Sequence, residues 1–281
     1  GEGNLYAGSS PDGRIYRISP DGGFPEIFAK LDSNYVWAIA ADPENEGALL
    51  VAGGAPGRLY RIPADFSQGD EPEIIVETES AHLTSFAQAT NGTLYYGTGP
   101  GGHLMSKPPG GKPDTLVELG QAEVREIFPR EDGSVRIATY HSSQGGSPDN
   151  GGGDDGGGSS AAPKGLPSGI FQVNADGFVE ALLLGTDEKV FSAAMADGEL
   201  LIGSDSDGRL YRFADRFDWS LLGECRQGGE VSAIEPITGD KAWIATSNPA
   251  ALYRLAYETD AEGTFVSDIY DADQKVRWGA L

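Results

Sequence analysis

The sequence predicts an all-β fold made of one small sheet repeated along the chain, and three observations carry that prediction. The first is a recurring stretch: Gly13-Arg14-Ile15-Tyr16-Arg17-Ile18, Gly57-Arg58-Leu59-Tyr60-Arg61-Ile62, Gly208-Arg209-Leu210-Tyr211-Arg212-Phe213 and Ala251-Leu252-Tyr253-Arg254-Leu255. Weaker copies, His103-Leu104-Met105-Ser106 and Gly169-Ile170-Phe171-Gln172-Val173, fill the gap between them. The second is spacing. The aromatic or Met position falls at 16, 60, 105, 171, 211 and 253, steps of about 40–45 residues apart from one long interval. The third is composition, since 41 Gly and 17 Pro suit short strands joined by tight turns. Together they specify a six-bladed β-propeller of four-stranded antiparallel blades, one domain over residues 1–281.

Each blade reads as four strands, innermost to outermost. First strands follow the pattern x-Val-x-small-apolar: Tyr35-Val36-Trp37-Ala38-Ile39, His82-Leu83-Thr84-Ser85-Phe86, Glu123-Val124-Arg125-Glu126-Ile127, Lys189-Val190-Phe191-Ser192-Ala193 and Glu230-Val231-Ser232-Ala233-Ile234. Alternation with β-branched residues argues for strands, and a small fourth position suits blades crowding toward an axis. Hairpin turns at Asn91-Gly92 and Asp197-Gly198 lead to second strands, because these pairs accept the positive φ of two-residue turns. Gly- and Ala-rich loops then join second strands to the third strands of the recurring stretch. Fourth strands follow at 25–31, 72–78, 114–119, 178–184, 219–224 and 264–270.

The first blade lacks a first strand. Lys275-Val276-Arg277-Trp278-Gly279-Ala280-Leu281 fits the pattern apart from Trp278 at the small position, so residues 275–281 are expected to complete the N-terminal blade and close the ring. Residues 142–168, rich in Gly, Ser and Asp, have little to bury and read as a flexible insert between the second and third strands of blade 4. The opening Gly1-Glu2-Gly3-Asn4 leads straight into a strand, which reads as a trimmed piece of a longer precursor.

Composition excludes several functions. The net charge of −23, from 43 acidic and 20 basic residues, opposes non-specific nucleic-acid binding and anionic membranes. No apolar run reaches the ~20 residues of a membrane span. One cysteine, Cys225, rules out an internal disulfide framework.

With the blades laid out, the chain resembles a group of exported bacterial propeller repeat proteins of uncharacterised activity. The resemblance rests on Asn4-Leu5-Tyr6-Ala7-Gly8, the Leu-Tyr-Arg-Ile third strands, Ala245-Thr246-Ser247-Asn248-Pro249 and the tail with Val276-Arg277-Trp278-Gly279. It implies an extracellular or periplasmic location. The scaffold is also similar to NHL-repeat, gluconolactonase-like, strictosidine-synthase-like and virginiamycin B lyase propellers, although the lactonase calcium set and the lyase His/Glu motif find no matching positions here.

Whatever recurs in every blade is read as structural, so Tyr16, Tyr60, Tyr211 and Tyr253 are expected to pack blades, with the adjacent arginines forming salt bridges or solvating a sheet edge. Symmetry breaks at the first residue of each inner strand: Tyr35, His82, Glu123, Lys189, Glu230 and, with closure, Lys275. These are the candidate ligand-binding residues of a channel mouth, either an ion-paired ring or a pocket in which His82 and Glu123 handle protons. Asp205, Asp207, Asp271 and Asp273 give two halves of a calcium loop, making Ca²⁺ the one cofactor considered. His103 and His141 lack metal-ligand spacing. No nucleophile elbow or phosphate loop appears in a helical context. The leading expectation is a non-catalytic recognition or scaffold module that binds a protein, glycan or other polymer on one face. The alternative is a propeller hydrolase or lyase using calcium at the channel mouth.

Overall fold

The computed structural model describes residues 4–256, apart from positions 20, 22, 68, 121, 142–167, 185–188 and 238–240. All regular structure among the described residues is β-strand, and every pairing is antiparallel. The expected closing strand 275–281, the last fourth strand and nearly all of the insert lie outside the described residues. Ser168, at the end of that insert, is buried, and its hydroxyl accepts the His141 N–H at 2.9 Å.

The strands fall into consecutive units. The first holds β1 (Leu5–Gly8), β2 (Arg14–Ile18) and β3 (Glu26–Lys30). The second holds β4 (Tyr35–Ala41), β5 (Leu49–Gly54), β6 (Arg58–Ile62) and β7 (Glu73–Glu77). The third holds β8 (His82–Gln88), β9 (Leu94–Gly99), β10 (His103–Lys107) and β11 (Asp114–Glu118). The fourth holds β12 (Glu123–Pro129), β13 (Val135–Tyr140), β14 (Gly169–Val173) and β15 (Val179–Leu184). The fifth holds β16 (Val190–Ala196), β17 (Glu199–Ser204), β18 (Arg209–Asp215) and β19 (Asp218–Glu224). The sixth holds β20 (Glu230–Ile237), β21 (Lys241–Ser247) and β22 (Ala251–Ala256). Within each unit the chain pairs each strand with the next, and a single bridge, Gly54↔His82, joins the second and third units.

The core lies between units rather than inside them. Ile15, Ala29 and Leu31 of the first unit share one apolar cluster with Val51, Tyr60 and Ile62 of the second. Leu104 and Leu119 of the third share another with Val124, Ile137 and Phe171 of the fourth. Ala138 and Ile170 pack with Val190, Ile202 and Phe213, and Leu201 and Leu210 pack with Val231 and Ile244. Full burial of each Val, Leu, Ile or Phe side chain among them is worth about 1.5–3 kcal/mol. A four-stranded sheet has two apolar faces, and stacking on a neighbour at each side is what buries both.

Successive inner strands β4, β8, β12, β16 and β20 pack on one another, and each of the last four also meets the second strand of the unit before. This contact explains the small residues of the second strands. A Cβ on Gly8 would stand 2.3 Å from Val36, one on Gly97 2.6 Å from Val124 and one on Gly203 2.4 Å from Val231. Side-chain hydroxyls also bond backbone carbonyls across the seams: those of Thr84 and Ser85 both donate to the Val124 carbonyl at 2.9 Å, and that of Ser192 donates to the Val231 carbonyl at 2.7 Å.

Each inner strand carries a β-bulge at the same step. The extra residues are Trp37, Thr84, Arg125, Phe191 and Ser232. A bulge leaves its extra residue out of the ladder and re-aims the side chain.

The recurring Tyr and Arg behave as structural parts. Tyr60 is buried and its hydroxyl meets Ser33 Oγ at 2.7 Å. Arg61 Nε lies 2.6 Å from Asp42, Arg17 pairs with Glu26, and Arg212 pairs with Glu199 and Asp218. Burial alone would lift the Asp42 carboxyl; Arg61, the Glu44 N–H and the Asn45 amide outweigh it and hold the group below the usual range. The hairpin at Asp197-Gly198 has the expected positive φ at both residues. Asn91-Gly92 differs, because only Gly92 has positive φ and the turn runs from Ala89 to Thr93, with Asn91 Oδ1 accepting the Thr93 N–H.

Candidate functional site

Antiparallel pairing sets the start of each inner strand beside the end of its second strand: Tyr35↔Gly54, His82↔Gly99, Glu123↔Tyr140 and Glu230↔Ser247. Lys189 immediately precedes β16, beside Asp205: the Lys189 N–H donates to Asp205 Oδ1 at 2.9 Å and the Asp205 N–H to the Lys189 carbonyl at 3.0 Å. Four candidate positions thus head inner strands and a fifth lies one residue before one. Lys275 lies outside the described residues.

Two clusters form at these strand ends. In the first, the Tyr35 and Trp37 rings stack with centroids 5.9 Å apart, and both meet the His82 ring edge-on at 5.4 and 5.3 Å. Trp37 Nε1 donates to His82 Nδ1 at 3.2 Å. Trp37 is 40% exposed, so part of this aromatic surface faces solvent. Gly54 permits the arrangement, since a Cβ there would stand 2.1 Å from His82 Nδ1.

In the second cluster the Arg125 guanidinium lies 5.0 Å from the Tyr140 ring centre and 5.3 Å from that of Phe191. The two rings meet edge-on at 5.3 Å. Lys189 Nζ approaches Tyr140 at 5.5 Å. Arg125 Nη2 pairs with Glu123 at 3.2 Å, while its Nε is buried without an acceptor. Cations over aromatic faces gain about 0.5–2 kcal/mol, more as water is excluded. Burial, followed by the nearby charges of Asp205, Glu230 and Glu123, pushes the Tyr140 phenol up, and Arg125 opposes them. Glu230 accepts from Ser247 Oγ at 2.7 Å and Asn248 Nδ2 at 3.2 Å.

The structure therefore gathers Tyr35 with His82, and Glu123 with the neighbourhood of Lys189 and Glu230. His82 and Glu123 make no hydrogen bond with each other; the Glu123 side chain lies instead beside Gly99. The residues that sequence reasoning missed are Trp37, Arg125, Tyr140 and Phe191. Three of them are bulge residues, invisible to a rule that reads strict alternation.

Glu126 was also missed, though a signal existed. It occupies the position held by Ala38, Ser85, Ser192 and Ala233 in the other inner strands. Burial pushes its carboxyl from 4.5 up to about 7, with Arg125 opposing.

The proposed calcium ligands are engaged locally. Asp205 holds the Lys189 N–H, and Asp207 sits 3.7 Å from Arg209 in a left-handed turn. Asp271 and Asp273 lie outside the described residues, and among the described residues no three His, Cys, Asp or Glu side chains gather as a metal site. Cys225 is buried, which raises its thiol.

No protein-family model and no curated protein sequence matches this chain. Solved structures do match its fold. Virginiamycin B lyase from Staphylococcus aureus is similar at 12% identity, with 92% of this chain and 82% of that one covered and a TM-score of 0.60. The WD40 β-propeller domain of Doa1 is similar at 13% identity, with 90% and 79% covered and a TM-score of 0.57. YCF48 bound to D1 peptide is similar at 14% identity, with 93% and 76% covered and a TM-score of 0.59. The fold is a β-propeller. At these identities the likeness speaks for architecture alone, and propellers of this kind serve both as enzymes and as binding scaffolds.

Proposed function

We propose that the chain is a recognition module that binds an extended polypeptide segment across the face where the inner strands begin, without turning it over. One observation carries this reading: aromatic and charged side chains from consecutive units converge there, with Trp37 open to solvent and Arg125 set between Tyr140 and Phe191. Aromatic and arginine anchors surrounded by polar groups are the usual energetic centre of a protein interface. That YCF48, a propeller of similar architecture, was solved with a peptide bound adds support. An exported location fits the same reading, and no helix of the described residues is long and apolar enough to cross a membrane.

The ring in this proposal has six blades and closes through residues 275–281, paired with β1. Support comes from the first unit, which begins at a second strand and leaves Leu5 63% exposed at its edge.

The test is an immobilised array of extended peptides of varied charge, probed with the full chain and with a Trp37→Ala, Arg125→Ala double variant. Peptides retained by the wild type should lose at least tenfold in affinity to the double variant, while its melting temperature stays within a few degrees. An array on which the two proteins give the same pattern would overturn the reading.

A further inference from the structure

A second place breaks the symmetry of the repeat, at the seam between the second and third units. In the second unit, Tyr60 on the third strand reaches across to Ser33, two residues before Tyr35, and their hydroxyls meet at 2.7 Å. Ser33 is buried there. In the third unit the corresponding serine is Ser80, two residues before His82, and the corresponding third-strand residue is Met105. The tyrosine has moved one strand inward: Tyr96, paired with Met105, stands where Val51 pairs with Tyr60.

The exchange leaves space. Met105 stops short of Ser80 and its sulfur instead accepts the Thr115 hydroxyl at 3.4 Å. A cleft of about 570 Å³ opens between β9, β10 and the turn carrying Glu79 and Ser80, with Pro100 and Pro113 on its walls. That volume falls within the range of small-molecule sites, roughly 300–1,000 Å³. Tyr96 lines the cleft at 2% exposure, and its hydroxyl has no hydrogen-bond partner among the described residues.

The charge around the cleft selects the ligand. No lysine or arginine lines it, and its basic residue is His103. Glu77 is already paired with Arg58 at 2.5 Å, whereas Glu79 makes no ion pair among the described residues. The body of the cleft, between Met105 and two prolines, suits a flat ring, which thioether sulfur contacts favourably. We propose that this cleft binds a small aromatic amine, its ring over Met105, its ammonium toward Glu79 and any ring hydroxyl toward Tyr96. The cleft adjoins the strand-start face, since Ala81 precedes His82 and Thr98 and Pro100 flank Gly99, but it uses neither Trp37 nor Arg125, so its test is independent of the one proposed for that face.

The experiment is a calorimetric and NMR titration of the full chain with tyramine, beside 3-(4-hydroxyphenyl)propionate as the anion of the same shape. Tyramine should bind saturably with a dissociation constant below about 1 mM, and the anion at least tenfold more weakly. Two variants then locate the site. Met105→Tyr restores the side chain of the second unit, fills the cleft and should weaken tyramine at least tenfold. Glu79→Gln, an exposed change that leaves folding intact, should weaken it about threefold to tenfold. Absence of saturable tyramine binding, equal binding of the anion, or full affinity in the Glu79→Gln variant overturns the proposal.

Discussion

Gly203 of the fifth unit lies so close to Val231 of the sixth that a Cβ built on it would stand 2.4 Å from Val231 Cγ1 and 2.6 Å from Ser192 Oγ. The Ser192 hydroxyl at this contact also donates across the seam to the Val231 carbonyl. The seam has no slack for a methyl group.

Gly203→Ala should therefore destabilise the protein by about 1–3 kcal/mol, the usual cost of forcing an extra carbon into a packed core. Gly223→Ala is the matched control, because nothing lies within 4 Å of a Cβ there. Thermal denaturation of the two variants measures the difference. Equal melting temperatures would show that the sheets part more easily than the geometry allows.

Glu126 makes stability depend on pH in a stated direction. Its folded carboxyl titrates near 7 against an ordinary 4.5, so the folded state holds its proton more tightly than the unfolded chain does. A raised pKa gives stability that is full below the unfolded value and lost as pH climbs to the folded one. The window is about pH 4.5 to 7, and the loss is on the order of 3 kcal/mol. Glu126→Gln should flatten that slope and raise stability at pH 8 relative to the wild type. Urea midpoints at pH 5 and pH 8 decide the matter: parallel shifts in both proteins would assign the slope to other groups.

Removal of residues 275–281 tests the proposed closure. If that strand pairs with β1, its loss uncovers the backbone edge of β1, and the melting temperature should fall by several degrees. A truncated chain that melts with the full-length one would mean that the ring is closed by something else, or left open.

Why the repeat was legible is visible in its glycines. A Cβ on Gly13 would stand 1.8 Å from the Ser33 carbonyl oxygen, and one on Gly57 2.5 Å from that of Ser80. In the first three units, at Gly13, Gly57 and Gly102, the chain leaving the fourth strand crosses directly over the start of the third. The same close approach recurs at these crossings, so glycine recurs there, while the fourth and sixth units carry the small Ser168 and Ala250 instead. Strand boundaries followed from the same logic, with 25–31 observed as Glu26–Lys30 and 114–119 as Asp114–Glu118.

The candidate site was only half legible. Tyr35, His82, Glu123 and Glu230 could be read because strand starts are marked by pattern. Trp37, Arg125 and Phe191 could not, because each is the surplus residue of a bulge and alternation assigns it no direction. Tyr140 closes a second strand, and only the pairing Glu123↔Tyr140 reveals that it belongs with them. Glu126 was in plain view as a long acid among alanines and serines. It was passed over because the pattern was read for what the copies share.

The bulge has a consequence for how this protein changes over generations. Because one unladdered residue per sheet sits at an equivalent step, Trp37, Thr84, Arg125, Phe191 and Ser232 amount to a short rewritable line on a rigid frame. On the proposed function, substitution at Trp37, Arg125, Phe191 or Ser232 would alter what the face recognises while the glycine–valine contacts beneath it stay as they are; Thr84, whose hydroxyl bonds the Val124 carbonyl across the seam, is fixed.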